Sequence, residues 1–245
     1  MKRMQFKILP VLLLMLLFFN FAVTGEEIVV SVGEYGLEVN EFEERINIRQ
    51  INIAGEQNHE EEVIEKFVIN MLTRIEIGEK NIELTDEDIT EHIDWAIVTS
   101  SGGSLNFEEK NESEKEEQRR THAAHLDITY NELWEEAEAG LGQRILFNEY
   151  YPEEAEERFA DGSDDDFIEK VYQQYLDDVG SSQEIDFDSF KQQFESPLLA
   201  LIGRLIFMEN ITEHSERVEI VIAEEYDDTN IDYLKEYEEA LGLSL

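Results

Sequence analysis

Cysteine is absent from this chain of 245 residues, which also contains only three prolines and 19 basic residues. Without thiols the chain cannot form disulfides, thiolate metal sites or a cysteine nucleophile. The basic residues are outnumbered by 59 acidic ones, so the formal net charge is -40. A surface of that charge repels phosphate backbones and anionic headgroups. The composition therefore argues against nucleic acid as a partner and against electrostatic attachment to a membrane.

Apolar residues make up 42% of the chain, which is too many for an acidic disordered segment and enough for a real core. The acidity is thus a property of the surface rather than of the whole chain. Proteins that work in high salt tolerate such a surface, because charge repulsion is screened within about 3 Å at 1 M salt. We therefore expect a folded protein adapted to a halophilic habitat.

The first 25 residues differ in composition from the rest. Lys2, Arg3 and Lys7 precede an apolar run over residues 8–23, and small residues follow at Thr24 and Gly25. This order is typical of an export signal, and the run is short for a membrane span. We expect residues 1–25 to be a signal peptide and the protein to be extracellular or at the cell surface. Contact with the membrane is expected only if the signal stays uncleaved.

Residues 26–245 are predicted to form a single, mainly α-helical domain with a small two-stranded sheet. The β-branched run at 28–32 is predicted to be a strand that ends in a turn at Gly33 and Gly36. Residues 218–223 alternate as a second strand. An isolated strand leaves its backbone groups unsatisfied, so these first and last strands should pair.

The helices are predicted from apolar residues that recur every three or four positions and from capping residues. Asn40 and Glu43, Thr85 and Asp88, and Thr129 and Glu132 each resemble a capping box. Ser196 and Pro197 resemble another helix start, before an apolar helix at 198–208. The other segments are predicted as follows: helices at 41–55, 60–75, from 85 to about 100, and from 129 to a stop before Pro152; a solvated loop or frayed helix at 108–120; a polar helical insertion at 153–195 with short helices at 167–176 and 187–194; and a C-terminal segment, 224–245, with a helix at 231–241.

This order of elements resembles the N-terminal domain of the SurA and PrsA extracytoplasmic chaperones. The resemblance rests on the strand and turn before Leu37, Val39, Glu41 and Phe42, and on three further segments. These segments are 81–89 (NIELTDEDI), 129–151 (TYNELWEEAEAGLGQRILFNEYY) and 197–223. It implies a helical chaperone domain whose last strand returns to pair with the first, and whose partners are unfolded or secreted polypeptides.

Members of that family commonly carry a parvulin-type prolyl isomerase before the closing helix. Here the matching interval, 153–195, has 43 residues, whereas such a domain needs about 90 by ordinary element lengths. The interval also lacks histidine. We therefore expect no isomerase and no other enzymatic activity. The alternatives are an isomerase with a reduced catalytic domain and an acidic, cation-binding surface protein.

Polar clusters give little support to a metal site or a cofactor, and we expect neither. His122 and His125 can share a helix face, but a metal site normally needs a third ligand. The run Asp161, Asp164, Asp165 and Asp166 is the best candidate for a cation. Position six of an EF-hand counted from Asp161 is not glycine, so an acidic turn that caps the next helix is favoured.

Aromatic side chains are the remaining functional candidates, because a chaperone must offer apolar surface to an unfolded chain. Ordinary core packing is the simpler explanation for such residues, because aromatic side chains dominate cores as well as binding surfaces. The residues that we expect to bind peptide are Trp95, Trp134, Phe147, Tyr150 and Tyr151.

Overall fold

A computed structural model describes residues 27–52, 59–102, 107–179 and 185–226 of the chain. The predicted signal peptide and the predicted helix at 231–241 lie outside these residues. These residues contain three strands: β1 (Ile28–Val32), β2 (Tyr35–Glu38) and β3 (Ile220–Ile222). The helices are α1 (Val39–Asn52), α2 (His59–Glu79), α3 (Asp86–Ser100), α4 (Glu112–His125), α5 (Tyr130–Ile145), α6 (Tyr151–Asp161), α7 (Asp165–Val179), α8 (Phe187–Gln193) and α9 (Glu195–Arg217).

The mainly helical fold is confirmed, and so is the pairing of the first and last strands. β1 and β3 are antiparallel, with Val30 opposite Ile222 and Val32 opposite Ile220. The prediction of only two strands was wrong, because β2 adds a third on the other side of β1. β2 was missed because Gly36, which we expected in a turn, lies inside it. The turn itself is a two-residue hairpin at Gly33 and Glu34, where Gly33 has a φ of +59°.

The first helix begins at Val39 rather than at residue 41, so the predicted cap at Asn40 was wrong. β2 runs directly into α1 without a loop. The Val39 amide donates to the carbonyl oxygen of Glu27 at 2.9 Å, so the backbone just before β1 supplies a partner that a capping side chain would otherwise provide.

The capping boxes predicted for α3 and α5 are confirmed at Thr85 with Asp88 and at Thr129 with Glu132. Residues 108–120, which the sequence predicts to be a solvated loop or a frayed polar helix, lie largely in α4. That helix has its own capping box, formed by Asn111 and Glu114.

For the helix that starts at Thr129, the predicted stop before Pro152 was wrong. α5 passes through one π-helical turn (Leu146–Tyr150) and continues as α6 to Asp161. A proline ring clashes with the carbonyl four residues earlier in a regular α-helix. The widened turn immediately before Pro152 gives the chain a way past that clash, so helical structure continues into the polar insertion.

The start predicted for the apolar helix at Ser196 was also wrong. α8 and α9 follow each other through Phe194, so α9 begins at Glu195 and the Ser196 side chain does not cap it. Pro197 lies in the first turn of α9, where its missing amide proton costs nothing.

Two apolar clusters make up the core of the described residues. The larger one joins the inner face of the sheet to α2, α6 and α9, and it includes Val30, Leu72 and Phe207. The smaller one joins α3, α4 and α5. Leu84, in the link between α2 and α3, packs against both clusters. None of the described helices combines the length and the apolarity that are needed to cross a bilayer.

Candidate functional site

A cleft of about 340 Å³ lies where the π turn and α6 meet α9. Its walls are formed by apolar and aromatic side chains: Phe147, Tyr151, Pro152, Ala155, Leu199 and Ala200. Phe147 packs against Tyr151 and, edge-on, against Phe207, with ring centroids 6.0 and 5.7 Å apart. The Phe147 ring is therefore fixed from two sides as a wall of the cleft.

Gly203 explains why this space is open. It lies on α9 and lines the cleft, and a Cβ atom placed on it would meet no atom within 4 Å. Most buried positions on a packed helix carry a side chain that fills the interface with its neighbour. The glycine leaves that volume empty on the α9 side of the cleft.

The π turn supplies the other half of the cleft. Its extra residue shifts the helical register, so that Phe147 and Asn148 line the cleft while Tyr150 is 41% exposed. Single π turns within α-helices occur frequently at functional sites. This geometry was not predicted, and the only signal for it in the sequence is the proline that follows an otherwise uninterrupted helical pattern.

The structure brings together three of the five predicted peptide-binding residues, namely Phe147, Tyr150 and Tyr151. Phe147 and Tyr151 line the cleft, and Tyr150 lies beside them on the π turn. The two tryptophans lie elsewhere, in the part of the molecule built from α3, α4 and α5. Trp95 is 59% exposed and stacks on His92, whereas Trp134 packs against the smaller core cluster and the Tyr130 ring.

Tyr151 connects the cleft to a buried polar cluster. Its ring lines the cleft, while its hydroxyl donates to Glu76 Oε1 at 2.7 Å. Glu76 Oε2 lies 2.6 Å from His214 Nε2. Arg217 donates to His214 Nδ1, so the His214 proton is placed on Nε2 and points at Glu76.

Two pKa values in this cluster are shifted. Burial raises the pKa of Tyr151, so its hydroxyl remains a donor. Burial also acts to raise the pKa of Glu76, but hydrogen bonds from His214 and Tyr151 and the charge of Lys80 outweigh it and lower that pKa. The cluster therefore holds Glu76 as a carboxylate and fixes the Tyr151 ring from behind.

Among the described residues, Glu76, Glu79 and His214 form a group that could hold a metal ion, with ligand atoms within 4.8 Å of one another. Protein cations already neutralise these groups. Arg217 donates to both Glu79 and His214, and the Lys80 ammonium lies 3.6 Å from Glu76. A metal ion would have to displace them, so the geometry favours a structural ion-pair cluster.

The two polar clusters considered from the sequence have their own explanations. Asp164 accepts two hydrogen bonds from Arg158, Asp165 pairs with Lys191, and the Asp161 carboxylate accepts from Ser163. The acidic turn is thus tied to protein donors. His122 and His125 line a second cavity between α3 and α4, but within the described residues they belong to no group of three metal ligands.

Comparison of the chain with protein-family models, with curated proteins and with solved structures found no match.

Proposed function

We propose that this protein is an exported, chaperone-like protein that binds apolar segments of unfolded polypeptides without catalysing a reaction on them. The observation that carries the proposal is the cleft at the π turn, whose open volume exists because α9 carries glycine at position 203. Ligand sites are typically concave and mostly apolar with a few polar groups, and this cleft has that composition. The resemblance to the SurA and PrsA chaperones supports the same function.

Binding would rest on burial of apolar area. A client side chain that enters the cleft leaves water and contacts the rings of Phe147 and Tyr151, which contributes about 25 cal/mol per Å² of apolar surface buried. Because Tyr151 is held from behind by Glu76, its ring keeps its position without a client. The acidic surface around the cleft would keep the complex soluble by charge repulsion between complexes.

The test uses a substitution that fills the cleft without disturbing the fold. Gly203→Leu places a side chain in space that is empty, and it removes the low helix propensity of glycine, so the variant should fold. Gly78→Leu is the matched control. It is the same change at an exposed helical glycine with no atom within 4 Å of the added Cβ, away from the cleft.

We expect the full chain to suppress light scattering when a chemically denatured, unrelated protein is diluted into buffer. Gly78→Leu should suppress it equally, and Gly203→Leu should have lost most of the effect. Circular dichroism should verify that both variants are folded. Equal scattering with and without the unmodified protein would contradict the proposed function, and equal protection by all three proteins would contradict the cleft as its site.

A further inference from the structure

Arg204 lines the cleft and forms no ion pair with any of the described residues. Of the nine arginines within the described residues, seven pair with a carboxylate, the exceptions being Arg144 and Arg204. Arg204 is solvent-exposed and lines the cleft beside Gly203. In a chain with three acidic residues for each basic one, a guanidinium without a carboxylate is unusual and leaves its hydrogen-bond donors available.

The other charged group that lines the cleft is Glu156, on α6. Its carboxylate is not within ion-pair distance of Arg204, so the two charges stay separate. The cleft therefore presents an apolar interior, one available cation and one anion. A guanidinium forms paired, charge-assisted hydrogen bonds with carboxylates, which match its planar geometry. A ligand that uses both the interior and Arg204 has an apolar body that carries one carboxylate.

The size of the cleft limits how a polypeptide can satisfy both requirements. At about 340 Å³ it is at the lower end of the range for ligand pockets, so it suits the end of a chain better than a long segment that passes through. At the carboxyl-terminal end of a chain, an apolar side chain and a carboxylate belong to the same residue. The terminal side chain and the α-carboxylate are therefore close together in the ligand, as the neighbouring residues Gly203 and Arg204 are on α9.

We propose that the cleft binds the carboxyl-terminal end of polypeptides whose last side chains are apolar. The terminal side chain enters the space over Gly203, and Arg204 binds the α-carboxylate. This inference rests on the proposed function, because it names the class of client that the same cleft takes.

Fluorescence anisotropy with short labelled peptides tests the inference on the full chain. The probe is a hexapeptide labelled at its amino terminus, uncharged in its side chains and ending in two leucines, with either a free or an amidated carboxyl terminus. We expect the free acid to bind at least about tenfold more tightly than the amide, as is typical of a hydrogen-bonded charged group. Arg204→Gln should abolish that difference, and Glu156→Gln should strengthen binding of the free acid severalfold.

A third peptide distinguishes a chain end from an acidic side chain. It is amidated and carries an internal glutamate beside the two leucines. If it binds as tightly as the free acid, the inference is wrong about the chain end. If the free acid and the amide bind equally and Gly203→Leu weakens both, carboxylate recognition is wrong while the proposed function stands. If no peptide binds and the chain also fails to suppress aggregation, both proposals fail.

Discussion

Buried ion pairs should contribute to the stability of this protein, and the pair between Arg49 on α1 and Glu132 on α5 is the clearest case. Both side chains are 2% exposed, and two hydrogen bonds of 2.7 and 3.2 Å join them. Without Arg49, the buried Glu132 carboxylate keeps only the Thr129 amide at 3.1 Å and Arg45 at 3.9 Å as partners. Removing one partner of a buried pair typically costs about 3–5 kcal/mol. We expect Arg49→Met to lower the free energy of unfolding by that amount in urea titrations.

The double variant Arg49→Met, Glu132→Gln is the control for this pair. Glutamine is compatible with the capping box at Thr129, and it leaves no unpaired charge at position 132. The double variant should therefore recover part of the stability that the single variant loses. A single variant that loses less than about 1 kcal/mol would contradict the importance of the pair.

Glu76 predicts a pH dependence at the same scale. Its pKa is lowered in the folded state from an ordinary value of 4.5, despite its burial, mainly through hydrogen bonds from His214 and Tyr151. A carboxyl group whose pKa is lowered on folding stabilises the folded state at pH values above its pKa in the unfolded chain. This contribution is lost as the pH falls from that pKa through the lower pKa of the folded state. We expect the unmodified protein to lose more stability than Glu76→Gln between pH 6 and pH 3.5 in urea titrations. Equal losses would show that the carboxylate contributes nothing to acid sensitivity.

At the scale of elements, the sequence predicted α2, the capping boxes of α3 and α5, and the pairing of β1 with β3, because each depends on a local pattern. What it did not predict depends on neighbours. The carbonyl oxygen of Glu27, the residue before β1, accepts a hydrogen bond from the first amide of α1, and β2 is stabilised by pairing despite Gly36.

The same distinction applies to the candidate site. Phe147, Tyr150 and Tyr151 could be chosen from the sequence because they are aromatic residues on one helical segment. The role of Gly203 could not, since only the packing of α6 on α9 shows that no side chain fills the opposite wall. Trp95 and Trp134 are on helices that resemble groove-lining elements of the chaperone family, but they lie in a different part of the molecule from the cleft.

The π turn is the element whose origin can be tested most directly. If Pro152 causes it, Pro152→Ala removes the ring that clashes with the carbonyl four residues earlier and restores a backbone donor. The variant should then gain about 1–3 kcal/mol in free energy of unfolding. It should also protect the denatured client less well, because a regular helix changes the position of Phe147. Unchanged stability would show that other contacts hold the π turn.

At the scale of the whole molecule, the net charge of -40 should make stability depend on salt. Buried pairs such as Arg49 with Glu132 are screened little, whereas repulsion between exposed carboxylates is screened within about 10 Å at 0.1 M and 3 Å at 1 M. We therefore expect the melting temperature to rise as sodium chloride increases from 0.05 to 1 M. For a chain of this size, each kcal/mol of relieved repulsion raises it by about 2–4 °C.

Two comparisons separate charge screening from general effects of solutes on the folded state. Sucrose strengthens apolar burial without screening charge, so at equal osmolality it should raise the melting temperature less than the salt does. The triple variant Glu91→Gln, Glu117→Gln, Glu157→Gln removes three exposed charges that form no ion pair within the described residues. It should melt at a higher temperature than the unmodified protein in 0.05 M salt and respond less to added salt. A melting temperature that stays flat up to 1 M salt would mean that the acidic surface costs the fold little, and adaptation to a saline habitat would then lack its physical basis.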